Sequence, residues 1–173
     1  MQIMAWKERE TIGVESAKPL PRVALVPIAH DDPRTEYCLE LAYRNMNPYL
    51  QRRGESFDKV RWRLHAPRAR FFLITDSAIT PSIAYGFLGV RNEPDAPCAL
   101  HVGDVQIDGD HRNGGIGRAT LEHVEHMALD EGLTELTLNV FRDNPALRLY
   151  ERFGFRCIDT RFYKYKMRKT LVA

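Results

Sequence analysis

Residues 102–118 run VGDVQIDGDHRNGGIGR. The first six close a strand, Ala99–Ile107 (ALHVGDVQI), and Asp108–Gly117 is a glycine-rich turn. Helical spacing then takes over: Leu121, Val124, Met127 and Ala128 share one face of a helix expected over Ala119–Asp130, with Gly132 as its stop. A strand, a glycine turn and a helix in that order suit an anionic phosphate. The first amides of a helix have no intrahelical partner, and the helix dipole adds about half a positive charge there. Glycines let a diphosphate approach those amides with no Cβ in the way, and Arg112 and Arg118 could add charged donors. The plainer alternative is a tight turn whose glycines only relieve strain.

Two familiar phosphate loops do not fit. No glycine here precedes Lys-Ser or Lys-Thr, so a Walker A loop is absent. A Rossmann fingerprint on Gly115-x-Gly117 needs Gly or Ala at position 120, which is Thr120, and it should follow the first strand.

Outward from the turn, the apolar period alternates between strand and helix. Arg22–Ile28 (RVALVPI) reads as a strand, and Thr35 onward as a helix through Leu39, Ala42, Tyr43 and Met46 that Pro48 should end. A second helix is expected over Glu55–Leu64. Strands follow at Arg70–Thr75 and Ser82–Val90, with a turn at 76–81 and a loop at Asn92–Pro97. After the central helix come a strand, Glu135–Phe141, a short helix, Pro145–Phe153, and one final strand, Phe155–Arg168. The predicted order is β-α-α-β-β-β-α-β-α-β: an α/β chain (α+β mixed sheet) with helices on the sheet faces. Residues 1–21 read as an N-terminal arm, and 22–173 as one domain.

Composition narrows the function classes. At 173 residues and 44% hydrophobic the chain can bury a core without staples. A net charge of +2 argues against a dedicated nucleic-acid binder, and no apolar run is long enough to span a bilayer. Met1–Pro21 lacks the apolar region of a signal peptide. Cys38, Cys98 and Cys157 lack CxxC spacing, which suits a reducing cytoplasm and no metal site; Cys38 and Cys157 read as core residues. Arg61, Arg63, Arg68 and Arg70 read as a solvated face, and Lys164, Lys166 and Lys169 as an exposed face or edge.

Arg112-x-x-Gly115-Ile116-Gly117 resembles the R/Q-x-x-G-x-G/A motif of the GNAT superfamily of N-acetyltransferases, in its bacterial single-domain form. Asn144-x-Ala146-x-x-x-Tyr150-x-x-x-Gly154-Phe155 is similar to the second signature of that superfamily, with Ala146 one position early. The two occur in order with a helix and a strand between them, and the resemblance covers about residues 22–168. It implies the GNAT fold and an acetyl-CoA-dependent N-acetyltransferase acting by direct attack in a ternary complex. The amides of Arg112, Asn113, Gly114, Gly115, Ile116, Gly117 and Arg118 would hold the diphosphate, and Val105 and Ile107 the pantetheine arm. Asn144 would touch that arm or cap its helix, and Tyr150 would be the general acid. Many relatives carry a Glu about thirteen positions before the motif arginine; here Ala99 stands there and cannot titrate. His101, on the same strand face, is the expected base, with Asp104 and Glu93 as alternatives. Tyr43, Tyr49 and Trp62 either wall the acceptor site or pack the core. The expected acceptor is a small-molecule or peptide amine, without nucleic acid or membrane, on a monomer or homodimer. Because of Ala99, a non-catalytic acyl-CoA-binding or sensing module stays as the alternative; a different nucleotide or phosphate binder is the third.

Overall fold

The computed structural model describes residues 21–77, 83–93 and 95–172; the arm expected at 1–21 and most of the turn expected at 76–81 lie outside these. Seven strands form one sheet in the order β1-β2-β3-β4-β5-β7-β6. They are β1 (Val23–Ile28), β2 (Arg70–Asp76), β3 (Ala84–Glu93), β4 (Ala96–Ile107), β5 (Glu135–Phe141), β6 (Arg156–Arg161) and β7 (Lys164–Thr170). All neighbours run antiparallel except β4 and β5, which are parallel and joined through a crossover helix.

Four helices cover the sheet: α1 (Thr35–Gln51), α2 (Lys59–His65), α3 (Ile116–Asp130) and α4 (Leu147–Arg152). On the α3 and α4 side, Leu88, Val90, Leu100, Val102, Leu136, Leu138 and Val140 meet Leu121, Val124, Ala128 and Phe155 in the larger core. On the other side, Phe71, Leu73 and Phe87 pack against Cys38, Leu41 and Ala42 of α1 and against Trp62 of α2. In the second layer a group of aromatic rings meets, with Trp62 stacked on Phe71 at 5.4 Å and Phe87 edge-on to both. No helix among the described residues is long and apolar enough to cross a membrane.

Several expectations from the sequence need correction. Pro48 does not end α1, which runs on to Gln51. Standing one turn from the end, it removes a single ladder bond, and Arg52 N still reaches Pro48 O at 3.4 Å. The second helix starts at Lys59, not Glu55, because Asp58 caps it by accepting from Arg61 N at 2.9 Å. Asn92, Glu93, Ala96 and Pro97, expected in a loop, are strand residues: β3 and β4 stay paired to Glu93 and Ala96, the cross-strand ladder overriding the turn-forming residues. The last strand is a hairpin of β6 and β7, folded back at Phe162 and Tyr163 with Phe162 in the left-handed region at φ 49°. The lysine-bearing β7 is therefore interior, and β6 is the edge. Cys157 is exposed rather than buried, whereas Cys38 is in the core.

Two irregularities of β4 position the cleft. Gly103 is left out of the β3 pairing, since Gly89 faces Asp104 and Val90 faces Val102. The extra residue resets the alternation, so Val105 and Ile107 stay with the α3 core while Asp104 and Gln106 join the His101 face. In addition, β4 pairs with β5 only from Ala99 to Val102. Beyond Val102 the two strands part and no ladder joins them.

Candidate active site

Where β4 and β5 part, a cleft of about 790 Å³ opens. Its walls are the free end of β4, the far half of β5, the N-terminus of α3, and α4. On the β4 side, backbone groups that face β5 have no strand partner there, an arrangement that can pair with an extended amide-bearing ligand.

The glycine turn builds one end of the cleft. A tight 3-10 turn, Gly109–His111, leads into Asn113 at φ 62° and Gly115 at φ 88°, so α3 begins at Ile116. The first bond across the helix start runs from Ala119 N to Gly115 O at 3.0 Å. The preceding amides of the first turn are thus unpaired within the helix and face the cleft mouth. Of the residues expected to hold the donor, Val105, Ile107, Arg112, Asn113, Gly115, Ile116, Gly117, Arg118 and Asn144 line the cleft, and Gly114 does not. Gly117 also has a packing role: a Cβ there would meet Leu149 Cδ2 at 2.9 Å, so its bareness lets α4 close on α3. The two arginines are partly committed elsewhere. Arg118 Nε donates to Glu122 at 3.0 Å, and Arg112 Nε donates to Ile107 O at 3.1 Å. Asn144 organises the entry to α4, its Oδ1 accepting from Ala146 N at 2.9 Å.

Tyr150 projects from α4 into the cleft, with its ring edge-on to Phe155 at 5.8 Å. Its hydroxyl makes no hydrogen bond within the described residues, and burial pushes the phenol up to about 12, so it keeps its proton at neutral pH.

His101 is 2% exposed, with Nδ1 2.9 Å from Thr137 Oγ1 and 3.3 Å from Glu93 Oε1. Nε2 is left without a hydrogen bond among the described residues. Burial holds the imidazole well below its usual range; the Arg91 cation adds to this and outweighs Glu93. The ring is therefore neutral at pH 7, with a free lone pair. Ala99 shares its strand face, because the Gly103 bulge comes after both residues. Asp104, on the cleft floor, is raised by burial, against which a hydrogen bond from Gln106 at 3.1 Å and the charges of Arg91 and Lys164 act.

Four other cleft residues were not singled out for the site in the sequence: Asn45 and Met46 of α1, Gln106 of β4 and Lys164 of β7. Tyr49 stacks on Phe141 at 5.6 Å and walls the cleft, while Trp62 belongs to the aromatic core.

A family model described as the acetyltransferase (GNAT) family matches residues 33–155. Mycothiol acetyltransferase of Kocuria rhizophila is 37% identical over 91 residues, which is 50% of this chain and 30% of that protein. Streptothricin acetyltransferase of Streptomyces lavendulae is 37% identical over 57 residues, 32% of this chain and 30% of that protein. The chain thus matches only about 30% of the length of these curated relatives. In fold, it is similar to the PaiA N-acetyltransferase of Thermoplasma acidophilum in complex with coenzyme A: TM-score 0.66, 16% identity, covering 86% of this chain and 98% of that one.

Proposed function

Since the chain belongs to the acetyltransferase (GNAT) family, whose model matches residues 33–155, we propose that it moves an acetyl group from acetyl-CoA to a primary amine in a ternary complex. The observation that carries this is a single cleft uniting the parted strands β4 and β5, the open α3 N-terminus and the Tyr150 hydroxyl. The α3 amides take the diphosphate, and the free edge of β4 at Val105 and Ile107 takes the pantetheine. The names of the two curated relatives each carry a small molecule, and on that ground the acceptor is a small-molecule amine, with a peptide amine as the other option.

The chemistry follows from the order of proton affinities. An alkyl ammonium near pKa 10.4 costs about 4–5 kcal/mol to deprotonate at pH 7. The ammonium first releases one proton to solvent at that cost; once the neutral nitrogen has added to the thioester carbonyl its remaining protons are far more acidic, and a neutral His101 can accept one at Nε2. Glu93 and Thr137 fix the ring from the Nδ1 side, as a carboxylate orients the imidazole of a hydrolytic triad. The tetrahedral intermediate then collapses, the C–S bond breaks, and the electron pair leaves on sulfur. A phenol near 12 does not fully protonate a thiolate near 8.5, so Tyr150 acts by donating a hydrogen bond to the departing sulfur. The amine's proton leaves by way of His101, and solvent supplies one to the thiolate. Lewis-acid assistance is not required at any of these steps.

Thiol release from acetyl-CoA, measured against a panel of polyamines, amino sugars and peptides, tests the reading. Turnover with at least one amine is expected, with a strong loss of kcat in Tyr150→Phe and little change in the KM for acetyl-CoA. Binding of acetyl-CoA without turnover of any amine would favour an acyl-CoA sensor instead.

A further inference from the structure

One polar chain in the cleft has no part in the steps above. Arg112 Nη2 donates to Asn45 Oδ1 at 2.5 Å. Asn45 Nδ2 donates to Gln106 Oε1 at 3.1 Å, and Gln106 Nε2 donates to Asp104 Oδ1 at 3.1 Å. Both amides point the same way, from a guanidinium at one end to a carboxylate at the other. Bonds aligned head to tail polarise one another, so a change of charge at one end is felt at the far end. Gln106 is buried and both of its polar atoms are committed to this chain, which makes an alternative rotamer costly. Asn45 is held further by a bond to Ile107 O at 3.3 Å, and its neighbour Arg44 is ion-paired to Asp108 at 3.0 Å.

The ends lie in different parts of the cleft. Arg112 precedes α3, where a diphosphate would rest. Asp104 follows the Gly103 bulge on the His101 face, where an acceptor would enter. Its carboxylate forms no ion pair among the described residues. The groups whose charge acts across that space are Arg91 of β3, Lys164 of β7, Tyr150 of α4 and Cys38 of α1.

Building on the acetyl-transfer reading, we propose that Asp104 receives the acceptor's ammonium. Asn45 and Gln106 are positioning residues that make its affinity for that cation depend on whether the donor-phosphate site is filled. A bound diphosphate draws Arg112 off Asn45. The amide chain then loses its cationic end, and the Asp104 carboxylate, less stabilised, becomes the stronger partner for a cation.

The test follows the Asp104 carboxyl titration by NMR with and without 3′-phospho-ADP, which carries the diphosphate and lacks the pantetheine. In the wild type, saturation with this probe raises the Asp104 midpoint. In Gln106→Met and Asn45→Ala the rise falls to less than half, while probe affinity stays within about threefold. An equal rise in the variants would overturn the relay and leave only the field of the phosphates. No probe binding by the folded wild type would overturn the donor-site reading itself. For an amine turned over in the panel, Asp104→Asn raises its KM by about tenfold or more, the loss of a charge-assisted hydrogen bond, while acetyl-CoA binds at least as tightly as to the wild type, as the reciprocity of the coupling requires. A fall in kcat with unchanged KM would overturn the ammonium role.

Discussion

The two halves of β4 share a backbone and do opposite things. From Leu100 to Val102 the strand is laddered on both sides and every residue is at most 3% exposed. From Asp104 to Ile107 it keeps β3, loses β5, and lines the cleft. The closed half contributes to stability through burial. The open half forgoes a run of ladder bonds, and those unmet backbone groups are what a donor arm can use. A one-residue bulge marks the change, and it also swings Asp104 and Gln106 onto the His101 face.

Substitutions on either side of the bulge should separate these roles. The largest effect is expected in the open half. Tyr150→Phe removes the donor facing the leaving sulfur and should lower kcat by about 10²-fold or more with unchanged melting temperature; steady-state thiol release reads it. In the closed half, Leu100→Ala should cost about 2–5 kcal/mol in urea denaturation, since Leu100 is fully buried between β3 and β5. Val105→Ala, beyond the bulge and only partly buried, should cost less than half as much.

Acidification gives an intermediate effect. Burial lowers His101 in the folded state, so between pH 6.5 and its folded value the unfolded chain binds more protons. Stability should fall with pH across that window, and His101→Gln should lose less of it. The raised Asp104 works the other way, its folded form binding the extra proton, so the comparison must be made against that variant. Parallel curves for the wild type and His101→Gln would show that His101 is not shifted. The smallest effect is that of Asn144→Ala, about 1 kcal/mol of stability from the lost turn at the entry to α4, read by thermal melting.

The alternation of periods exposed most of the strands and the helix between β4 and β5, the glycines marked the turn at 108–117, and Tyr150 was singled out through the motif resemblance alone. Where the sequence misled, tertiary contacts had overruled local signals. Pro48 sits where one lost bond is tolerated, and Phe162 makes a left-handed turn without Gly or Asn to announce it. The Asp104 chain was illegible for another reason. Asn45 and Gln106 lie 61 positions apart, and only the packing of α1 across β4 brings them together. The contact of Gly117 with Leu149 was illegible for the same reason, since α4 lies some thirty positions further on.

Calorimetric titration with acetyl-CoA, run beside CoA, ATP and a folded Gly117→Glu variant, tests the central claim most directly. The account predicts that acetyl-CoA and CoA bind, that ATP does not compete, and that the variant loses at least 100-fold in affinity. Its glutamate would meet Leu149 and set a negative charge at the α3 N-terminus, where the diphosphate rests. A folded wild-type protein that binds ATP and acetyl-CoA alike, or neither, would contradict it.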